Sequence, residues 1–210
     1  NKKFEFIEDM SLTEIIAEKT TILGNDLTSV KIPSGAFYEN VKIDFRIMGD
    51  TIKIHKPTIP LKKSIEVSFN VKNYGDNVKH LFIGSVNDNG TLSYMPTKLI
   101  GNYIKAKTRS LGTYTIAIDR DSPEIKPINF TNLDWISNNN FLKIKISDKV
   151  SGIKNYRATV NGDWILMEYD PKTKTLTHDF KDGIISKVEN NLELLVTDNA
   201  GNSSKFDLKF

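Results

Sequence analysis

The chain has 210 residues, with 29 basic and 26 acidic side chains, three histidines and no cysteine, for a formal charge of +3. Lacking cysteine, it has no disulfide, no thiolate nucleophile and no Cys-ligated zinc. Its lysines alternate with apolar residues instead of forming a stripe, which argues against a nucleic-acid binder. No apolar run approaches the ~20 residues of a membrane-spanning helix.

Hydrophobic residues make up 39% of the chain, with 11 Phe, 7 Tyr and 2 Trp, enough to fill real cores. The first six residues carry no signal-peptide pattern, so the expectation is either a cytoplasmic protein or a mature fragment. Ser11 and Glu14 have capping-box spacing before Ile15 and Ile16. A short helix and a strand running to Leu23 are both open there.

From this point every-other-residue apolarity dominates. Val41, Ile43, Phe45 and Ile47 alternate with Lys42, Asp44 and Arg46. Ile65, Val67, Phe69 and Val71 repeat the pattern, as do Tyr114, Ile116 and Ile118. Leu142, Ile144 and Ile146 follow, then Leu192, Leu194 and Val196, then Phe206, Leu208 and Phe210. Period-two segments bury one face each and predict half-buried strands.

Asn89-Gly90, Asn161-Gly162 and Asp182-Gly183 read as hairpin dipeptides. Asn73 to Asp76, Asn138 to Asn140 and Asn199 to Asn202 read as turns or loops. Many short strands between such turns predict an all-β protein of two tandem antiparallel β-sandwich domains. The boundary is expected at Asp119, ahead of Pro123, giving domains 1–118 and 119–210.

Residues Val30-Lys31-Ile32-Pro33-Ser34-Gly35-Ala36-Phe37-Tyr38 resemble the corner between two strands in the ZU-five type of β-sandwich. Asp148-Lys149-Val150-Ser151-Gly152-Ile153, with Val196-Thr197-Asp198-Asn199-Ala200-Gly201-Asn202, resembles a bacterial immunoglobulin-like module. Together with Leu111-Gly112-Thr113-Tyr114-Thr115, these segments are similar to the carboxy-terminal region of lysostaphin-like zinc metallopeptidases of the bacterial envelope. The resemblance spans roughly Leu27 to the end of the chain. It implies a catalytic domain upstream, acting in cis, and a location in the periplasm, on the cell surface or outside the cell.

The catalytic motifs of that family are His-x-x-x-Asp and His-x-His. His178 and Asp182 have the spacing of the first, and no His-x-His occurs. Zinc catalysis needs three protein ligands and an open position. His55, His80 and His178 lie apart and read as surface or strand-face residues. No Gly-x-Ser-x-Gly is present, and the acids read as solvated strand-face groups. The chain is therefore expected to be non-catalytic, an accessory spacer or binding region. A carbohydrate-binding or adhesion module is the alternative, with cell-wall glycan or a surface protein as partner.

Two candidate sites follow. Asp119, Asp121, Asp148 and Asp198, with Asn199, fall near strand ends that one sandwich pole can gather, which suits calcium. The same residue types also cap turns with their own side chains. Trp135, Tyr156 and Tyr169, with Tyr103, are candidate sugar-stacking rings. Trp164 alternates with Leu166 and reads as core, so Trp135 is the expected exposed ring.

Overall fold

The computed structural model describes residues 12–134, 136, 139–183 and 189–210. The chain is all-β and forms two compact units, one ending at Ile118 and the other running from Asp119 to Phe210.

The first unit holds β1 (Thr13–Ile15), β2 (Thr21–Gly24), β3 (Thr28–Ile32), β4 (Val41–Ile43), β5 (Phe45–Met48) and β6 (Thr51–Ile54). After these come β7 (Ile65–Asn70), β8 (Leu81–Val86), β9 (Leu92–Met95), β10 (Thr97–Ile100), β11 (Tyr103–Thr108) and β12 (Gly112–Ile118). Two five-stranded antiparallel sheets, β10-β11-β7-β3-β2 and β5-β6-β12-β8-β9, enclose the core, and β1 pairs with β4. Ile65, Val67 and Phe69 of β7 meet Ile52 and Ile54 of β6 and Ile83 of β8 in that core. Each such side chain contributes roughly 1.5–3 kcal/mol by leaving water.

Glu14 sits in β1, so this stretch takes the strand alternative; Ser11 lies outside the described residues. The run from Val41 to Ile47 is not one strand. Asp44 is buried and interrupts it, accepting from Arg46 Nε at 2.8 Å and lying 3.9 Å from Lys53 Nζ. Its backbone is tied to His55 on both sides, with Asp44 N–H donating to His55 Nδ1 and His55 N–H donating to Asp44 O. A buried charge with its own partners breaks an alternation that reads as continuous. The turn at Asn73 to Asp76 lies inside a 3₁₀ segment, Lys72–His80, broken at Gly75 where φ is 53°.

The β11–β12 corner is held by a tyrosine. Tyr114 Oη donates to Ser110 O at 2.6 Å and lies 3.2 Å from Thr108 Oγ1. Burial pushes the phenol pKa up, partly offset by the Thr108 hydrogen bond. Leu111 and Gly112 let the chain fold back under the ring, with Leu111 buried and Gly112 at φ 148°.

The second unit holds β13 (Glu124–Pro127), β14 (Phe141–Ser147), β15 (Ile153–Val160), β16 (Asp163–Ile165), β17 (Glu168–Asp170), β18 (Thr175–Asp179), β19 (Asn191–Asp198) and β20 (Ser203–Lys209). They form two four-stranded antiparallel sheets, β13-β14-β18-β17 and β16-β15-β19-β20. Leu142, Ile144 and Ile146 of β14 face Leu192, Leu194 and Val196 of β19 across the core. All six are fully buried, as their period-two spacing predicts.

Asn161-Gly162 joins β15 to β16 with both residues at positive φ, 54° and 90°, the geometry of a type I′ hairpin turn. Asp182-Gly183 does different work. It ends a 3₁₀ turn, Phe180–Asp182, in which Asp179 Oδ1 accepts from the Lys181 N–H. No helix among the described residues is long and apolar enough to cross a membrane.

Candidate functional site

The second unit gathers Asp119, Asp148 and Asp198 at one pole, with one carboxylate oxygen from each lying within 4.8 Å of the others. Asp119 opens the unit, Asp148 follows β14 and Asp198 ends β19. Asp119 is 1% exposed and Asp198 0%, while Asp148 is half-buried. Three acids this close and this dry repel one another unless something positive faces them.

The loops supply backbone N–H groups. Asp148 Oδ1 accepts from Val150 N at 3.0 Å and Gly152 N at 2.6 Å. Asp119 Oδ2 accepts from Ser151 N at 3.0 Å, and its Oδ1 from Asp121 N at 3.2 Å. Asp198 Oδ1 and Oδ2 accept from Asn202 N and Asn202 Nδ2, both at 2.8 Å. Asn202 Nδ2 also donates to Asp119 O at 3.0 Å. Asn199 Nδ2 donates to the carbonyls of Ser151 and Gly152, at 2.9 and 3.1 Å.

The acids and asparagines of the two loop motifs thus each have an assignment. The glycines have theirs too, because Gly152 and Gly201 sit at φ 77° and 89°, where a Cβ is disfavoured. Among the described residues, no ion pair reaches any of the three carboxylates. Ser151 Oγ, beside them in the loop, is buried without a hydrogen-bond partner. Carboxylate, carbonyl and hydroxyl oxygens are the donor set that suits a hard cation such as calcium. Asp121, the fourth expected ligand, stands outside the trio, exposed, and gives only its backbone N–H.

The aromatic candidates scatter. Trp135 lies outside the described residues. Tyr156 and Tyr169 come together, ring centroids 5.9 Å apart, packed against the second core. Tyr156 Oη donates to Met167 O at 3.0 Å, and burial pushes the Tyr169 phenol pKa up, helped by the charge of Asp170. Tyr103 belongs to the first unit, where its hydroxyl donates to Asp26 O.

Trp164 reverses its expected placement. It is 56% exposed, and Leu166 is exposed with it, while Ile165 and Met167 are buried. The alternation is real but its phase is opposite, because β16 is an edge strand with one face in water. Thr159 stands directly across from Trp164 on β15, with Glu193 next in the row on β19.

Of the two alternatives, surface or strand face, His178 takes the strand face, on its buried side. It is 1% exposed, on the inward side of β18, with Nδ1 2.9 Å from Leu166 O and Nε2 3.6 Å from Asp182 Oδ2. Neither residue was marked by composition around it. The signal for Trp164 was the apolar phase of Ile165 and Met167.

No curated protein matches the chain. A profile of the Zu5-like domain family matches residues 14–119, the stretch from β1 to the end of the first unit. Through that match, which covers half of its length, the chain belongs to the Zu5-like domain family.

Proposed function

We propose that the chain is a non-catalytic accessory region of a bacterial envelope or secreted protein, a spacer or binding body for an upstream zinc metallopeptidase domain acting in cis. One observation carries this reading. The second unit's sheets, in chain order of strands, follow the A-B-E-D and C′-C-F-G arrangement of an immunoglobulin-type sandwich. That arrangement supports the module resemblance of its loop motifs, and with a Zu5-like first unit it matches the tandem expected behind such a peptidase. The test is twofold. The reading frame upstream of Asn1 should encode His-x-x-x-Asp and His-x-His in one domain. Removing residues 1–210 should change cell-wall retention of the parent enzyme while its activity on soluble peptide persists. An upstream frame without those motifs, or unchanged retention, overturns the reading.

The second reading is a glycan-binding module, favoured by Trp164, whose exposed ring stands beside Thr159 and Glu193 on an open sheet face. A ring for stacking with hydroxyl and carboxylate groups at its rim suits a neutral sugar. Calcium belongs to either reading. The Asp119, Asp148 and Asp198 oxygens would hold the ion and stiffen the pole of the second unit.

A further inference from the structure

Alternation along β14 sets Lys143 and Lys145 on its outward face, and the sheet brings to them lysines that stand apart in the sequence. Lys126 of β13 lies directly opposite Lys145 in the antiparallel ladder. Lys149 follows β14, and Lys172 and Lys174 come from the β17–β18 turn. Lys126, Lys145, Lys149, Lys172 and Lys174 are all exposed and line one open cavity of about 580 Å³. Two acids face them there. Glu124 Oε1 lies 2.6 Å from Lys126 Nζ, and that ammonium, with Lys149 and Lys145 beyond it, holds the carboxyl below the usual carboxylate range. Asp148 gives its Oδ1 to the N–H groups of Val150 and Gly152. Five ammonium groups against two carboxylates leave an excess of three positive charges.

Two features of this face work against the fold. Like charges directly opposite in a sheet destabilise it, yet Lys126 and Lys145 form such a pair. Lys174 closes its turn at φ 57°, a conformation that glycine or asparagine takes with less strain. The turn holds that shape, since Asp170 accepts from Lys172 N at 2.9 Å and from Thr173 Oγ1 at 2.7 Å, while Lys174 O accepts from Ile146 N. An anion between the ammonium groups removes the repulsion. Among the described residues, the cavity is lined by no aromatic ring and no arginine, so it offers neither base stacking nor a bidentate fork. Point charges spread over an open face suit a flexible chain of singly charged phosphates. Along one face of a strand, side chains stand ~6.8 Å apart, a step that phosphodiesters joined by short polyol spacers can follow. We propose that the outer face of the β13-β14-β18-β17 sheet binds an anionic polyol-phosphate polymer through these lysines. The Trp164 face belongs to the other sheet. Placing such a polymer in the cell wall rests on the envelope reading, whereas the anion-binding face does not.

The experiment titrates the full chain by calorimetry with lipid-free poly(glycerol phosphate) at several salt concentrations. Binding should weaken roughly 50- to 130-fold between about 50 and about 200 mM salt, as for four to five lysines each releasing ~0.7 counterion. Lys145→Gln/Lys174→Gln should bind at least about tenfold more weakly, with a shallower salt slope. Lys79→Gln/Lys98→Gln removes the same charge from the first unit and should bind as the parent does. All four lysines are exposed, so both double variants keep the fold. Equal weakening in the two would reduce the effect to net charge and overturn the proposal, as would an absence of binding at every salt concentration. Single-stranded DNA or phosphatidylglycerol vesicles that bind as tightly, at equal phosphate concentration, overturn the choice of a polyol-phosphate chain. Failure here leaves the upstream reading frame and the wall-retention test standing, so the two results are read apart.

Discussion

Tyr114 donates its hydroxyl proton to the carbonyl of Ser110, four residues back in the same corner, at 2.6 Å. The bond closes the short β11–β12 connection, residues 109–111, with a buried ring. We predict that Tyr114→Phe keeps the fold and lowers the first unit's stability by about 1 kcal/mol. Urea denaturation checks it, and an unchanged midpoint would show the bond to be idle.

Tyr74 gives a pH dependence. Burial, then its 2.7 Å hydrogen bond to Asp50 and that carboxylate's charge, push its pKa up to about 12. The folded state therefore keeps a proton that the unfolded chain releases from about pH 10. Its contribution is complete below pH 10 and fades as pH rises through about 12. Stability of the first unit should fall across that window, and Tyr74→Phe should flatten the fall. An identical slope in the variant would count against the assignment.

For the aspartate pole, calcium added to chelator-treated protein should raise the second unit's melting temperature. Saturation at a hundred times the dissociation constant corresponds to about 2.7 kcal/mol. Asp198→Asn should remove most of the response, since it takes one charge from the trio. A melting curve indifferent to calcium and chelator would assign the carboxylates to turn capping alone.

Gly24 ends β2 at φ 120°, and a Cβ there would run into the Thr28 backbone. The loop is pinned, because Asn25 Oδ1 accepts from Leu27 N and Thr28 N. Gly24→Ala should cost more than about 1 kcal/mol. Gly90, with open space around it, is the control at which alanine should cost less. Equal losses at both positions would refute the steric account.

Trp164→Ala should leave the fold intact, because the ring is mostly in water. Under the glycan reading it abolishes binding to cell-wall oligosaccharides in calorimetry, and ligand shifts the parent's tryptophan fluorescence. Retained binding in the variant would remove Trp164 from that role.

The strands were legible wherever an apolar period ran uninterrupted, as in Ile65 to Phe69 and Leu192 to Val196, because the apolar face of each segment is wholly buried. The corner around Ile32, Pro33 and Gly35 pointed to the right family for the first unit. Misreadings came where a polar side chain brings its own partners. Asp44 is buried with Arg46 and Lys53, which no period reveals. Trp164 was misplaced because two residues, itself and Leu166, suggest a face only until Ile165 and Met167 are counted. At the pole, Asp119, Asp148 and Asp198 could be expected at strand ends. Which of four acids converge depends on loop paths set by Asn199 and Asn202.

Asn202 ties the first residue of the second unit to its last turn between strands, since one amide holds both Asp119 O and Asp198 Oδ2. A pull entering at Asp119 is thus not delivered to β13 alone. It is shared at once with the β19–β20 turn and, through Ser151, with the β14–β15 loop. The pole behaves as a clamp under tension, so peeling of the first strand must wait until these short bonds rupture together.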